Sequence, residues 1–333
     1  MLDQSPDRQQ ILETAAAFMP ACVVGAAAEL NVWSLLGDRR RTARQVAERL
    51  KADPRATTML LDALTALQML DKQEGGYAVP PPLAAWLRED SPDSVLPMLR
   101  HRMNTLRGWA QLAWVVKAGI PAPRQASIRG PDADRAAFVA AMHAASEPVA
   151  DELIDRLGPP RFTHLLDVGG ASGTWTLAFL RTASEARATL FDLPDAIEQA
   201  NRRIAQSEFA GRVKLHAGDF YTDPLPAGAD YAWLSAVVHQ HSREDNRALF
   251  SKVYAALVPG GRIGIRDVVM QPDKVHPGEG ALFAINMLVN TEAGGTYSFA
   301  ELAADLEAAG FTEPELRVED PAMNSVVEAV KSQ

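Results

Sequence analysis

The first hundred residues carry apolar positions at helical spacing, followed by a short stretch that alternates as a strand does. This pattern predicts helices over 11–36, 43–50 and 54–70, the last two opened by capping residues and a proline. Residues 71–79 predict a hairpin that turns at a pair of glycines. Helices followed by a small wing predict a winged-helix arrangement.

Residues 90–158 are also predicted to be helical, with a proline-bounded loop over 121–131. Their aromatic and sulfur side chains are typical of a core, and we expect some of them to face a ligand at a domain boundary. The chain is expected to divide into a winged-helix domain (1–100), a helical segment that lines a pocket (101–158) and an α/β domain (159–333).

From residue 161 onward, apolar strands alternate with helical segments, which favours a mostly parallel, doubly wound α/β sheet. The strand candidates are short apolar runs over 164–168, 188–191, 213–217, 231–236 and 262–269. In such a sheet the ligand crevice lies at the carboxyl ends of the strands. The loops that follow these strands are therefore expected to converge on one site.

A glycine-rich turn follows the first of these strands. It runs from Asp167 through Gly169 and Gly170 to Gly173, and Asp192 ends the next strand. Glycines let a ligand approach the backbone closely, and an acid at the next strand tip binds the hydroxyls of a ribose. The combination predicts an adenosine site, with an ordinary tight turn as the alternative.

The spacing of this turn separates the candidate cofactors. Counted from Gly169, the third and sixth positions are Ala171 and Thr174, so the G-x-G-x-x-G fingerprint of dinucleotide sites is not met. The lysine of a phosphate-binding loop is also missing after Gly173. The remaining pattern suits a cofactor without a pyrophosphate, and S-adenosyl-L-methionine is such a cofactor.

Two further loops are expected to complete the site. Asp219 and Phe220 follow the third strand, and they offer a carboxylate for the adenine amino group and an aromatic ring for its face. Residues 235–242 follow the fourth strand and contain His239 and His241.

Composition limits the class of protein. The 333 residues are 47% hydrophobic with a mean hydropathy of -0.10, and the net charge is -9. The acidic balance argues against a general binder of nucleic acid or anionic membranes. The single cysteine, Cys22, excludes an internal disulfide framework and a thiolate-rich zinc site, and no metal is expected. We find no signal peptide and no apolar run long enough to span a bilayer, so a cytoplasmic location is expected.

A winged helix also suggests DNA binding, but the helix in the recognition position does not favour it. Residues 55–70 are rich in leucine and methionine, and only Arg55 is basic. That composition is typical of a packing face, so we expect the domain to associate subunits.

The motifs at 167–173, 191–194, 218–221 and 257–261 together resemble those of the S-adenosylmethionine-dependent O-methyltransferases of plant caffeate type and bacterial antibiotic-tailoring type. The resemblance covers nearly the whole chain. It implies a Rossmann-like class I methyltransferase fold, a homodimer formed through the N-terminal winged-helix domain, and a small-molecule acceptor. The cofactor-binding residues that it implies are Asp167, Gly169, Gly170, Gly173, Asp192, Leu193, Gly218, Asp219, Phe220 and Ser235.

Methyl transfer from a sulfonium needs little help at the leaving group, so the enzyme must position the acceptor and remove its proton. A phenol titrates near pH ~10, and a histidine suits this proton transfer. His239 matches the base of the family, and Asp267, at the end of the next strand, matches the carboxylate that holds it. The alternatives are that His239 only lines the pocket, or that His241 is the base.

Four positions depart from the family pattern. Gln240 replaces an aspartate, His241 replaces a tryptophan, Tyr297 replaces a glutamate, and Ser235 stands where many relatives keep a basic residue near the cofactor. These departures leave the acceptor atom open between oxygen, nitrogen and carbon, with transfer driven mainly by proximity in the last two cases.

The resemblance also implies an acceptor pocket. Its aromatic and thioether surfaces suit a flat ring, and its amides suit hydroxyl or carbonyl groups. The implied residues are Phe138, Met142, Asn286, Met287 and Asn290. Core packing is the alternative for Phe138 and Met287.

The sequence thus predicts a dimeric S-adenosylmethionine-dependent O-methyltransferase that acts on a small aromatic metabolite. The alternatives are an N- or C-methyltransferase of the same fold, a winged-helix regulator that senses a ligand, and an enzyme that binds S-adenosylmethionine for structure alone.

Overall fold

The computed structural model describes residues 5–91, 93–158 and 160–333. Its contacts divide the chain into two compact units. The first comprises the residues up to Arg107 together with Gln125–Ala144, and the second comprises Gly108–Arg124 together with Ala145–Gln333. The three-part division expected from the sequence remains a prediction.

The first unit is helical and carries one small hairpin. Its elements in chain order are α1 (Arg8–Ala16), α2 (Phe18–Glu29), α3 (Val32–Leu36), α4 (Ala43–Leu50), α5 (Pro54–Ala66), β1 (Asp71–Gln73), β2 (Gly76–Ala78), α6 (Ala84–Leu87) and α7 (Leu96–Trp109, whose last two residues belong to the second unit). Trp33, Leu61 and Leu64 are fully buried in its core. The packing face predicted for the helix in the recognition position, which is α5, is therefore present. Burial of its leucines stabilises the unit.

Local backbone geometry corrects two of the predicted helices. The stretch 11–36 forms three helices instead of one, and Asn31 takes a left-handed conformation (φ 58°) before α3. The helix predicted to reach residue 70 ends at Ala66, because Gln68 is left-handed (φ 61°) and turns the chain into β1. A left-handed residue cannot continue a right-handed helix. The predicted helix over 43–50 and the hairpin are confirmed.

The first two helices include a stretch that is apolar on average, although it contains no unbroken apolar run of membrane-spanning length. Within Arg8–Glu29, a window of 18 residues has a mean hydropathy of 1.7, which by length and composition alone is enough to cross a membrane. The stretch contains polar residues, so a search of the sequence for an unbroken apolar run does not find it. Only 17% of the window is buried, and Ile11, Phe18 and Met19 are each more than half exposed.

The second unit contains the central sheet. The elements in chain order are α8 (Leu112–Ala118), α9 (Pro131–Leu157, which begins in the first unit), β3 (His164–Val168), α10 (Thr174–Thr182), β4 (Arg187–Asp192), α11 (Pro194–Ile204), β5 (Val213–Ala217), β6 (Ala229–Ser235), α12 (Arg243–Ala256), β7 (Leu257–Asp267), β8 (Val269–Met270), α13 (Gly278–Asn290), β9 (Tyr297–Ser298), α14 (Phe299–Ala308), β10 (Phe311–Val318) and β11 (Ser325–Lys331).

The seven-stranded sheet has the order β10-β11-β7-β6-β3-β4-β5. Strands β3 to β7 pair in parallel, and β11 and β10 add an antiparallel edge beyond β7. The predicted mostly parallel, doubly wound sheet is thus confirmed. Helices α10 and the end of α9 pack on one face, and α12 and α14 pack on the other.

The strand order reverses beside β3. The chain builds outward from β3 to β4 and β5, and then returns to the other side of β3 for β6 and β7. A crevice forms at the carboxyl ends of the strands where such an order reverses. Each strand of this region ends close to a residue that the sequence places in the site.

Candidate active site

The glycine turn joins β3 to α10 at this crevice. The backbone N–H of Gly169 donates to Phe191 O at 2.8 Å, which ties the turn to β4. The N–H of Gly173 donates to Gly170 O at 2.8 Å and closes the turn. Gly169 and Gly173 have φ of 72° and 78°, a left-handed conformation in which glycine carries no penalty.

Asp192 supports this turn from the end of β4. Its Oδ2 accepts the backbone N–H of Ala171 at 2.7 Å, and its Oδ1 accepts the N–H of Leu193 at 2.7 Å. Ala171 is itself left-handed (φ 46°), so the carboxylate holds a strained residue in place. Burial raises the pKa of Asp192, and its two backbone N–H donors oppose that rise. Leu193 is exposed at the mouth of the turn.

Asp167 lies beneath the turn and is only 1% exposed. Its Oδ2 accepts the hydroxyl of Thr176 at 2.5 Å, while its Oδ1 is buried without a hydrogen-bond partner among the described residues. Burial raises the pKa of Asp167 to about 7, and the negative charge of Asp192 adds to the effect. A buried carboxylate oxygen without a donor is a place where a cationic ligand group would be stabilised.

The loop after β5 holds the residues predicted to meet adenine. The N–H of Gly218 donates to Asp192 O at 2.9 Å, so this loop is bonded to the end of β4. Asp219 Oδ1 accepts the N–H of Tyr221 at 2.9 Å, which fixes the orientation of its carboxylate. The rings of Phe220 and Tyr221 lie 5.0 Å apart. These contacts bring the predicted carboxylate and aromatic ring to the same edge as Asp192.

His239 lies on the single helical turn over 238–240 that follows β6 and is 7% exposed. Its Nδ1 is 2.8 Å from Oδ1 and 2.9 Å from Oδ2 of Asp267, and its backbone N–H donates to Asp267 Oδ2 at 3.3 Å. The N–H of Val268 donates to Asp267 Oδ1 at 2.8 Å. A carboxylate bonded to Nδ1 fixes the ring orientation and leaves Nε2 to accept a proton.

Two elements from later in the chain enclose His239. The ring of Phe283 meets the imidazole edge to face, with centroids 4.8 Å apart. The N–H of Gly295 donates to His239 O at 2.9 Å. A Cβ placed on Gly294 would lie 2.5 Å from the same carbonyl oxygen, so only glycine fits this approach.

His241 is set in a different environment from His239. It is buried, and its ring packs edge-on against Phe220 at 5.4 Å and Tyr221 at 5.3 Å. Its Nδ1 has no hydrogen-bond partner among the described residues, and burial lowers the pKa of the ring. Tyr297 donates its hydroxyl to the carbonyl of His241. Among the described residues, no carboxylate is hydrogen-bonded to the ring of His241.

The predicted acceptor residues of α13 form a hydrogen-bonded group. The indole Nε1 of Trp109 donates to Asn286 Oδ1 at 2.9 Å, and Asn290 Nδ2 donates to Asn286 O at 2.8 Å. Met287 is buried. The side chains at 283, 286, 287 and 290 share one face of α13, because they lie at helical spacing.

The other two predicted acceptor residues belong to the first unit. Phe138 is 43% exposed, and its ring lies 5.2 Å from that of His101. Met142 is half-buried. Their contact with an acceptor remains a prediction. Within the residues described, no group of three or more His, Cys, Asp or Glu is placed to hold a metal ion.

Sequence reasoning did not single out Phe283, which contacts His239, or Trp109, which donates to Asn286. Phe283 could have been found from its helical spacing to Asn286 and Met287. Trp109 carried no signal beyond an aromatic residue in a helical pattern.

The strand order, the glycine turn and the acid at the next strand tip define a class I methyltransferase fold. The family model for the O-methyltransferase domain matches residues 103–312, and the model for the O-methyltransferase dimerisation domain matches residues 12–89. The chain belongs to the O-methyltransferase family.

Two relatives and one solved structure are similar to this chain. The 3-hydroxy-5-methyl-1-naphthoate 3-O-methyltransferase of Streptomyces sahachiroi is 30% identical over 92% of this chain and 90% of that protein. The N,N-dimethyltransferase OxyT of Streptomyces rimosus is 29% identical over 91% of this chain and 90% of that protein. The crystal structure of human N-acetylserotonin methyltransferase with S-adenosylmethionine covers 100% of both chains, with a TM-score of 0.80 and 24% identity, and it shares the fold.

These comparisons confirm the predicted family, fold class and cofactor. The chain is an S-adenosylmethionine-dependent methyltransferase, and its dimerisation domain supports the predicted homodimer. The exposed apolar side chains of α1 and α2 lie within or beside the dimerisation match, where a partner subunit would cover them. The roles of individual site residues remain predictions.

The raised pKa of Asp167 predicts a pH-dependent effect of Asp167→Asn. The native carboxyl keeps its proton up to about pH 7, whereas the unfolded one loses it near pH ~4. The wild-type protein therefore loses stability as pH rises between these values, and the asparagine variant does not. We expect the variant's advantage in Tm to grow from pH 4 to pH 7 and then to stay constant. For the exposed control Asp195→Asn, the curve of Tm against pH should run parallel to that of the wild type. A parallel curve for Asp167→Asn would contradict the raised pKa of Asp167.

Asp192→Ala is expected to weaken binding of S-adenosylhomocysteine at least tenfold by calorimetry. The substitution removes the proposed acceptor for the ribose hydroxyls, and charge-assisted hydrogen bonds contribute about 1.5–3 kcal/mol. It also removes the bond to Ala171 that holds the glycine turn. Asp195→Ala, in the exposed first turn of α11, is the matched control and should bind as wild type does. Unchanged affinity in Asp192→Ala would remove this residue from the site.

Proposed function

We propose that this chain transfers the methyl group of S-adenosylmethionine to a hydroxyl of a small aromatic metabolite, with His239 as the general base. The observation that carries the proposal is the buried pair of His239 and Asp267, in which Nδ1 is bonded and Nε2 is left for the acceptor. The 30% identical naphthoate O-methyltransferase supports an aromatic hydroxyl as the acceptor.

The residues of the crevice fit the cofactor. Asp192 offers carboxylate oxygens at the strand tip for ribose hydroxyls, and the partnerless Oδ1 of Asp167 suits the ammonium of an amino acid. Asp219 and Phe220 offer an acceptor and a ring for adenine. When bound, S-adenosylmethionine supplies an electrophilic methyl group on a positively charged sulfur, which is already a good leaving group.

His239 has one task in this reaction. Its Nε2 would take the proton of the acceptor hydroxyl, and the imidazole would become an imidazolium, while the acceptor oxygen would receive the methyl group that the bound cofactor supplies. Asp267 stabilises that imidazolium through Nδ1 and keeps the ring from rotating. Phe283 covers one edge of the ring, which restricts water at the base. The proton then leaves to solvent when products dissociate.

We further propose that the pair of asparagines on α13 orients the acceptor. Asn286 uses its Oδ1 to accept from Trp109 and Asn290, so its own amide N–H groups are available to a hydroxyl or carbonyl oxygen. Met287, Phe138 and Met142 are proposed to supply apolar surface to a flat ring. The enzyme is proposed to act as a cytoplasmic homodimer without nucleic-acid or membrane partners, in keeping with its net charge of -9.

A nitrogen acceptor is the second candidate function. It is supported by the 29% identical N,N-dimethyltransferase, whose coverage is similar to that of the naphthoate enzyme. An amine acceptor reacts once it is neutral, so it depends less on a base in the transition state.

His239→Ala tests the base, with a hydroxynaphthoate as the probe acceptor. We expect kcat to fall at least ~100-fold, which is typical for the loss of a general base, while affinity for S-adenosylhomocysteine stays within twofold. The remaining rate should rise with pH toward the pKa of the acceptor hydroxyl (~10), because only the ionised acceptor then reacts. Asp267→Asn should lower kcat in the same direction.

The variant His241→Phe separates the two histidines. It preserves the ring packing against Phe220 and Tyr221, so kcat should stay close to that of wild type. A kcat that survives His239→Ala but collapses in His241→Phe would assign the base to His241. Transfer that is intact in both variants would favour the nitrogen acceptor or catalysis by proximity alone.

A further inference from the structure

Arg266 lies in β7 immediately before Asp267, and strand alternation turns its side chain to the opposite face. The guanidinium stacks on Trp175, with Cζ 4.7 Å from the ring centroid. Nε and Nη2 donate to Asn324 Oδ1 at 3.0 and 2.7 Å, and Nη1 donates to Ser235 Oγ at 3.1 Å. The side chain is thus held in one orientation.

The hydrogen-bond partners of this cation are all neutral. Arg266 is 5% exposed, and no carboxylate of the described residues lies within 4.0 Å of its guanidinium. Burial lowers the pKa of Arg266 to about 10, and the more distant charges of Asp267 and Asp320 oppose that fall. Burying a cation without an anionic partner destabilises the fold, so an anion bound beside it would be strongly favoured.

The sheet register places this cation relative to Asp192. Arg266 pairs with Ser235, and Leu234, just before Ser235, pairs with Val168 at the start of the glycine turn. Val168 in turn pairs with the residue before Asp192. The guanidinium reaches back to Ser235, so it stands two strand spacings, roughly 10 Å, from the β4 tip. The glycine turn lies between them.

We propose that Arg266 binds the carboxylate at the amino-acid end of S-adenosylmethionine. This inference rests on the proposed function, in which Asp192 holds the ribose. From there the amino-acid chain crosses the glycine turn toward β6, and its carboxylate meets the guanidinium beside Ser235. The same path brings the ammonium over Asp167. Ser235 stands where many relatives keep a basic residue near the cofactor. In this chain, Arg266 of the neighbouring strand supplies the positive charge instead.

Two ligands that differ only at the amino-acid end test this assignment. S-adenosylhomocysteine carries the carboxylate, whereas 5′-methylthioadenosine keeps the adenosine and sulfur but lacks the amino acid. In calorimetry, Arg266→Met should weaken the binding of S-adenosylhomocysteine at least tenfold. The affinity of this variant for 5′-methylthioadenosine should stay within twofold of that of the wild type. Arg266→Lys keeps the charge and should lose less affinity for S-adenosylhomocysteine.

Arg262→Met is the matched control, because Arg262 lies in the same strand but is half exposed and away from the crevice. It should change neither affinity. Equal losses for both ligands in Arg266→Met would overturn the inference and make the residue a support for Trp175 and Asn324. Unchanged affinity for both would also overturn it. If Arg266→Met does not fold, a lysine variant that weakens both ligands equally is the contradicting result. Wild type that binds neither ligand would instead overturn the proposed function, and this inference with it.

Discussion

The parallel pairing of β3 with β4 on one side and with β6 on the other is the constraint on which the site depends. It brings the ends of three strands to one level, so that the glycine turn, Asp192 and Ser235 are neighbours although they are far apart in sequence. The pairing of β6 with β7 extends the line to Arg266 and Asp267. A slip of one residue in any of these pairs would turn the side chains to the wrong face.

Two ionisable side chains are buried at the carboxyl ends of the strands, and neither stabilises the fold by itself. Asp167 is buried with one oxygen unbonded, and burial raises its pKa. Arg266 is buried among neutral partners. Each costs stability in the free protein, and each is opposite in sign to one end of an amino acid. In our proposal, the ammonium and the carboxylate of S-adenosylmethionine neutralise these two buried groups together.

His239 and Asp267 are organised differently, because the two side chains are hydrogen-bonded to each other within the protein. The two side chains come from the ends of adjacent strands, and backbone N–H groups of His239 and Val268 fix the carboxylate. The pair is therefore formed before any acceptor arrives. Such preorganisation lowers the cost of reaching the transition state. In the proposed reaction, residues at the ends of β3 to β7 bind the cofactor, whereas His239 after β6 and Asp267 at the end of β7 transfer the proton.

Much of this arrangement follows from local sequence. The five parallel strands, the glycine turn and Asp192 rest on motifs in which residue type and spacing have a direct physical reason, whereas the pairing of His239 with Asp267 is implied by the family resemblance. What the sequence does not reveal depends on backbone conformation or on long-range packing. The left-handed Asn31 and Gln68 end helices that the apolar pattern would continue. Phe283 and Trp109 reach the site only through the packing of α13.

The apolar surface of α1 and α2 is another feature that the sequence alone does not reveal. The pattern of the chain shows polar interruptions, whereas the folded helices present a largely exposed apolar surface. Whether that surface is covered depends on a second chain, which no single sequence displays. The match to the family model of the dimerisation domain indicates that a second subunit covers this surface.

The most direct test of the account is a crystal structure of the protein bound to S-adenosylhomocysteine. We predict ribose hydroxyls on the carboxylate of Asp192, and a sulfur atom on the side of the crevice that faces Nε2 of His239. A ligand whose sulfur points away from His239, with Asp192 left uncontacted, would contradict both the cofactor assignment and the proposed base.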